Sequence, residues 1–337
     1  MSAFSPSLED LRGVLDLELA RFLGAKRDQL EEAAPLIDEI ARLIEAGGKR
    51  LRPSFCYWGF RAANGAHSDQ IVKAATSLEL LHTFAIVHDD IMDVSDERRG
   101  MPTTFAKHGV NTALLVGDLA LVLADAAFME SGFEAARCVA AFEHYSRMRQ
   151  EVIAGQFLDV DAASRELVTV EEARRIAVLK SGRYSIEEPL CIGAALAGAS
   201  SHVLDALAAF GDPLGEAFQL RDDLLGTFGE RANVGKPVDS DIREGKRHVL
   251  YAETVRAIEG PDRDFFLGRW GAGDALDGQE VDRLRSLIES SGARTATEGL
   301  LDELRKRAED ELAALTLDDE SRAALEELVR RATDRTL

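Results

Sequence analysis

Six residues at the end of an apolar stretch, His88-Asp89-Asp90-Ile91-Met92-Asp93, carry the sharpest chemical signal in the sequence. On a helix, positions four apart share a face, so Asp89 and Asp93 project side by side. Like charges so placed destabilise a bare helix by roughly 0.2–0.5 kcal/mol. Such a pair calls for a cation, and magnesium suits it, being held by one or two carboxylates together with substrate phosphate oxygens. The plainer alternative is a solvated acidic helix end, but the preceding Phe84-Ala85-Ile86-Val87 reads as a buried helix.

A second acidic run, Gln219-Leu220-Arg221-Asp222-Asp223-Leu224-Leu225-Gly226, lies about 130 residues further on. The position four after Asp222 is Gly226, so the paired carboxylate is absent. Glu230 returns to the same face only if the helix continues through Gly229. Basic residues gather beside both runs: Gly48-Lys49-Arg50-Leu51-Arg52-Pro53 opens a helix, where backbone amides and fixed cations favour an anion. Arg98-Arg99-Gly100 follows the first run, Lys180 precedes Ser181-Gly182, and Lys236 and Lys246 follow the second. Each alone reads as a surface cation. Together with two acidic helix faces they point to a metal-bridged diphosphate site.

The elements that must position these residues are helices. Apolar spacings of three and four dominate, with no run of alternating β-branched residues. They predict helices near 8–23, 27–46, 52–63, 68–93, 109–131, 134–163, 170–181, 184–198, 201–229, 247–259, 279–290, 295–314 and 319–335. Thr169-Val170-Glu171-Glu172 is a capping box, and Pro213 should kink the 201–229 helix or split it near Asp212. The connecting segments 47–53, 94–104 and 230–246 are rich in Gly or Pro and in basic side chains. No repeat or linker appears, and 260–278 is the nearest approach to a boundary. The chain reads as a single domain, 1–337.

Composition agrees. Of 337 residues, 46% are hydrophobic and only 6% aromatic, a helix-former's balance. The net charge of −20 argues against nucleic acid or an anionic membrane as partner, so cations must be concentrated where anionic substrates bind. Cys56, Cys138 and Cys191 lie far apart without a CxxC pair, which predicts reduced, buried thiols. No basic-then-apolar leader opens the sequence. The most apolar stretch, 112–128, is interrupted by Asp118 and Asp125, which argues against stable membrane insertion. A cytoplasmic protein is expected.

At these residues the chain resembles the trans-isoprenyl diphosphate synthases, the family of farnesyl and geranylgeranyl diphosphate synthases. The likeness runs from about Gly47 to Lys246 through GGKRLRP, HDDIMD with RRGMPT, GQFLD, KSGRY, FQLRDDLLG and GKPVDSDIREGK. It implies an all-α, isoprenoid synthase-type bundle of long helices around a central cavity, usually a homodimer. It implies that Asp89 and Asp93 bind two magnesium ions and Asp222 a third, about three in all with bound diphosphate. Arg98, Lys180 and Lys236, with Lys246 nearby, would hold the allylic diphosphate. Lys49, Arg52, His82 and Arg99 match the isopentenyl diphosphate positions. Gln156, Asp159, Ser181 and Gln219 match polar positions around the cavity, with Ser181 and Gln219 placed to stabilise a cation. Ser181 stands where the family more often has Thr, and Gly226 replaces the last Asp of the second motif; activity should survive both.

The expected reaction is magnesium-dependent, head-to-tail condensation of isopentenyl diphosphate with an allylic diphosphate. Fixed positive charge stabilises the departing diphosphate, which is also the expected proton acceptor. A terpene cyclase would carry a side-chain ligand at Gly226 and would not need a second diphosphate site. A non-catalytic synthase subunit would be expected to lose acidic motifs. For product length, Ala85 lies on the Asp89 face about 6 Å down the helix and Leu81 about 12 Å down, while Phe84 is turned partly aside. The first motif also lacks the two extra residues of bacterial farnesyl-type enzymes. The expected product is geranylgeranyl diphosphate (C20), with farnesyl diphosphate (C15) the alternative.

Overall fold

The computed structural model describes residues 6–229 and 239–333. Among them the chain is almost wholly helical, as expected. It runs through α1 (Leu8–Gln29), α2 (Ala34–Glu45), α3 (Leu51–Ala62) and α4 (Asp69–Met92). A two-stranded antiparallel ladder of β1 (Glu97–Arg98) and β2 (Met101–Pro102) comes next, then α5 (Thr104–His108), α6 (Val110–Met129) and α7 (Ala135–Ala163). The rest comprises α8 (Val170–Ala177), a π-helical stretch Val178–Glu187, α9 (Glu188–Ala197), α10 (Ser201–Phe228), α11 (Ser240–Glu244), α12 (Val249–Ala257), α13 (Gly260–Arg269), α14 (Gly278–Ser290), α15 (Ala293–Ala314) and α16 (Asp319–Thr333).

Helix ends obey sequence chemistry. Ser7 caps α1 by accepting from the Asp10 amide at 3.2 Å. The capping box at α8 forms: the Thr169 amide donates to Glu172 at 2.8 Å and the Glu172 amide to Thr169 Oγ1 at 3.1 Å. Pro213 does not split α10. An interior proline costs a helix about 3 kcal/mol, and the buried row Phe210, Leu214, Ala217, Leu220 and Leu224 offsets it by apolar burial. Residues 260–269, expected as loop, form α13, with Pro261 in its first turn; a proline there loses no helical bond. The expected break between 181 and 184 is instead the continuous π-helical stretch.

By backbone contacts the chain forms two compact units. The first comprises the described parts of Met1–Ser146, Glu188–Ala208 and Thr316–Leu325; the second comprises those of Arg147–Glu187, Ala209–Leu315 and Glu326–Leu337. In the first, α1 buries Leu11, Leu15 and Leu19, a stripe of spacing four, and α3 buries Phe55, Tyr57 and Trp58. Helix α4 packs along α6, and α3 along α9. The second unit has its own core of Leu220, Leu224, Ile242, Leu250, Tyr251, Phe266, Trp270, Leu284 and Ile288, with Phe266 stacked on Trp270 at 5.1 Å between ring centroids.

Cys56, Cys138 and Cys191 are buried thiols. Helix α6 is long and apolar enough to cross a membrane by length and composition, so Asp118 and Asp125 do not exclude it by themselves. One side of it, Ala113, Val116, Gly117, Ala120, Leu123, Ala124 and Ala127, is buried in the first unit.

Candidate active site

In the first unit, α4 carries the first acidic run to its C-terminal end. Asp89 lies in the last turn and Asp93 is the C-cap, its amide donating to the Asp89 carbonyl at 2.8 Å. Carboxylates here sit at the negative end of the helix dipole, where a cation is favoured. Asp90 points off that face and is 2% exposed; it accepts from Arg98 Nε at 2.8 Å and lies 2.7 Å from Arg98 Nη2. Arg98 also reaches Asp89, at 3.4 Å, so the first arginine after the motif is bound to the motif itself.

The basic residues of this unit converge around α4. His82, two turns before Asp89, is held well below the ordinary histidine range, first by burial and then by Arg52, Arg99, Arg98 and Arg50. It is therefore neutral at pH 7, set among guanidinium groups that favour an anion. Arg99, with backbone φ of 55°, donates to the Gly47 carbonyl, which links it to the turn bearing Lys49. Burial lowers its pKa, and Glu79 opposes that shift.

The hairpin carrying Arg98 and Arg99 is pinned from outside by Glu39 of α2. Glu39 accepts from Arg42 at 2.5 and 2.8 Å, Thr104 at 3.0 Å and Lys107 at 3.1 Å. Burial alone would raise this carboxyl, but those donors outweigh it and hold it at about 2. Arg42 donates onward to the Pro102 carbonyl at 3.2 Å.

In the second unit, α7 and the π-helical stretch approach at Gly155, where any side chain would overlap the Lys180 backbone. That approach lets Asp159, one turn later, accept from Lys180 Nζ at 2.6 Å; Lys246 Nζ lies 3.9 Å from the same oxygen. Asp159 thus gathers the two cations. Ser181 comes directly after Lys180 in the same stretch, half-buried, and π-helical turns are frequent at functional sites. On α10, Gln219 donates to Asp223 Oδ1 at 2.6 Å. Asp223 is buried, and burial, with Asp241 next, pushes its carboxyl well above the usual range. Gly226 has no side chain, and a Cβ there would overlap the carboxylate of Asp241 from α11.

Lys236 and Glu230 lie outside the described residues. Of the remaining expected site residues, the first unit sets Arg52, Arg98 and Arg99 around His82, and Asp89 and Asp93 by Arg98, with Lys49 in the turn just before Arg50. The second unit gathers Lys180 and Lys246 at Asp159, and sets Gln219, Asp222 and Asp159 around Asp223; Ser181 follows Lys180, and Gln156 lies on α7 one turn before Asp159. Arg50, Asp90 and Asp241 had no assigned part. For Asp90 a signal existed: one residue past Asp89, it falls off the paired face. For Asp241 none did, since its nearness to Gly226 is a tertiary contact.

The donor chemistry fits magnesium: carboxylate oxygens beside cations that suit phosphate. Among the described residues no three His, Cys, Asp or Glu side chains converge on one point. A hard cation would complete its shell with diphosphate and water oxygens, as magnesium usually does.

Known proteins bear on this arrangement. The polyprenyl synthetase family model matches residues 34–279. Geranylfarnesyl diphosphate synthase of Aeropyrum pernix is 32% identical over 330 residues, 96% of this chain and 99% of that one. A (2E,6E)-farnesyl diphosphate synthase of Mycobacterium tuberculosis is 34% identical over 293 residues, 86% of this chain and 80% of that one. A crystal structure of geranylgeranyl pyrophosphate synthase from Corynebacterium glutamicum, complexed with isoprenyl diphosphate and magnesium, superposes with a TM-score of 0.93 at 33% identity, over 98% of this chain and 100% of that one.

Proposed function

The chain belongs to the polyprenyl synthetase family and is a trans-prenyltransferase, and on that premise we propose that it condenses isopentenyl diphosphate head-to-tail with an allylic diphosphate to give geranylgeranyl diphosphate. The observation that carries this reading is that each unit presents an acidic helix run, Asp89/Asp93 in the first and Asp222 in the second, with cations grouped beside it. Asp89, Asp93 and Asp222 are the magnesium ligands in this reading, for about three ions with bound diphosphate. When bound, magnesium supplies positive charge to the leaving diphosphate.

The chain's own residues do the rest. Arg98, Lys180, Lys236 and Lys246 hold the allylic diphosphate and stabilise charge as the carbon–oxygen bond lengthens. Lys49, Arg52, neutral His82 and Arg99 hold isopentenyl diphosphate, whose double bond attacks. Gln219 and Ser181 turn polar atoms toward the allylic cation, and Gln156 lines the same region. The C20 assignment draws on the small Ala85 on the Asp89 face; C15 is the second reading, favoured by half-buried Phe84 beside it.

Residues 1–337 are read as one domain, since each compact unit is assembled from three separated chain segments. A homodimer is supported by exposed apolar side chains on α6, among them Leu115 at 56%, Val122 at 61% and Met129 at 61%. A self-complementary surface would cover these in a soluble, cytoplasmic protein. The test is incubation of purified protein with magnesium, isopentenyl diphosphate and each allylic primer in turn. A C20 prenyl diphosphate is expected. A cyclic hydrocarbon would identify a cyclase, and no product a non-catalytic subunit.

A further inference from the structure

Lys49, Arg50 and Arg52 are alike in the sequence, but Arg50 turns inward. Its side chain is 2% exposed, and all three guanidinium nitrogens are engaged. Nε donates to Asp16 of α1 at 2.7 Å, Nη1 to Glu79 of α4 at 2.6 Å, and Nη2 to the Ile44 carbonyl in the last turn of α2 at 2.7 Å. Its backbone is left-handed, with φ 50° and ψ 36°, a region non-glycine residues seldom adopt. Gly47 and Gly48 before it also have positive φ. A turn of this kind persists only where its surroundings over-determine it.

Here the surroundings do so. The three arms of Arg50 tie the turn to α1, α2 and α4, and Arg99 donates to the Gly47 carbonyl. Glu79 is 4% exposed and sits on α4 one turn before His82. It pairs with Arg50 directly and acts on Arg99 through space. One buried carboxylate is thereby connected to the turn that bears Lys49 and leads into Arg52, and by its field to Arg99.

We propose that the Arg50–Glu79 pair positions the non-allylic diphosphate site, fixing the turn at 47–50 so that Lys49, Arg52 and Arg99 present their charges together while Arg50 touches no substrate. This rests on the reading of those residues as the isopentenyl diphosphate site. Because an ångström of misplacement is enough to weaken a diphosphate contact, the pair governs binding of one substrate and leaves the other alone.

Glu79→Gln withdraws the charge and keeps the shape. With each substrate varied separately, KM for isopentenyl diphosphate should rise about tenfold, while KM for the allylic substrate and kcat stay within about twofold. Glu79→Asp should recover part of the loss. Asp16→Asn, which takes the charge from one arm at a half-exposed residue, should raise the same KM by a smaller factor. An unchanged KM for isopentenyl diphosphate in folded Glu79→Gln, or an equal rise for both substrates, overturns the proposal. If Glu79→Gln does not fold, Asp16→Asn decides, and an unchanged KM there overturns it. Failure of the site reading itself is separate: calorimetry would then find no binding of isopentenyl diphosphate to the wild-type protein.

Discussion

The carboxylate of Asp241 occupies the space that a side chain at residue 226 would need. Gly226 is where the second acidic run lacks its last Asp, so a substitution that restores the family's residue, Gly226→Asp, meets a like-charged neighbour at overlapping distance. Overpacking of this kind costs about 1–3 kcal/mol, and the unfolding midpoint should drop by a few degrees. Adding Asp241→Ala should return most of that loss. Scanning calorimetry of the single and double variants checks both steps.

Asp89→Ala and Asp93→Ala should each reduce turnover by at least about a hundredfold, because charge on the leaving diphosphate loses its counter-ions. Stability should hold or rise slightly, since a like-charge pair at a negative helix end is relieved. Near-normal kcat in either folded variant would remove these residues from the metal assignment.

Arg98 and Arg99 should separate in two measurements. Arg98→Ala is expected to raise KM mainly for the allylic diphosphate, and Arg99→Ala mainly for isopentenyl diphosphate. Arg98→Ala also takes from buried Asp90 the guanidinium it pairs with, a loss worth up to about 3–5 kcal/mol, and Arg98→Lys should restore part of it. Urea midpoints that fall equally for both alanine variants would show that the Asp90–Arg98 pair carries no special weight.

Product length offers a visible readout. Phe84 sits edge-on to His88, with 4.8 Å between centroids and 66° between planes, and Gly117 on α6 leaves the room His88 needs. Ala85→Phe should shorten the product and Phe84→Ala should lengthen it, each shifting most of the distribution by one five-carbon unit. Chromatography of dephosphorylated products decides; no shift in either variant means that the tail does not pass this face of α4.

Acid should weaken the fold through a buried histidine before it reaches the carboxylates that are held low. Burial holds His248 at about 4, below its ordinary 6.5, and its Nδ1 accepts from the Tyr251 amide at 3.2 Å as the cap of α12. The unfolded chain takes up this proton below pH 6.5 and the folded chain only near pH 4, so stability is full above 6.5 and falls as pH drops through that window. By pH 5 the loss is about 2 kcal/mol. His82 adds in the same direction, buried Asp223, whose carboxyl is pushed up, opposes it, and Glu39, held at about 2, contributes only below its ordinary 4.5. Urea midpoints at pH 7 and pH 5 should converge in His248→Asn, whose side chain can still cap.

Most helices and the acidic faces were legible because both arise from spacing along one helix, as with Asp89 and Asp93. The helix after Gly260 was not, because a glycine–proline pair reads as a breaker unless the proline falls in the first turn. Arg50 was illegible for another reason. Nothing local separates it from Lys49 or Arg52, and only a left-handed backbone and carboxylates from α1 and α4 turn it inward. Asp241 was hidden likewise, by a contact between residues fifteen apart in sequence.

The π-helical stretch Val178–Glu187 makes residue count matter more than residue identity there. Each helical residue advances the chain by about 100°, so one deletion within the stretch would rotate the downstream side chains relative to Lys180 and Asp159. Arg183, which reaches Glu151 at 2.8 Å and Asp212 at 3.6 Å, would swing away from both. Length variants are thus the wrong tool for reshaping this segment, and same-length substitutions the right one: the phase of the helix, more than its composition, keeps its side chains in register.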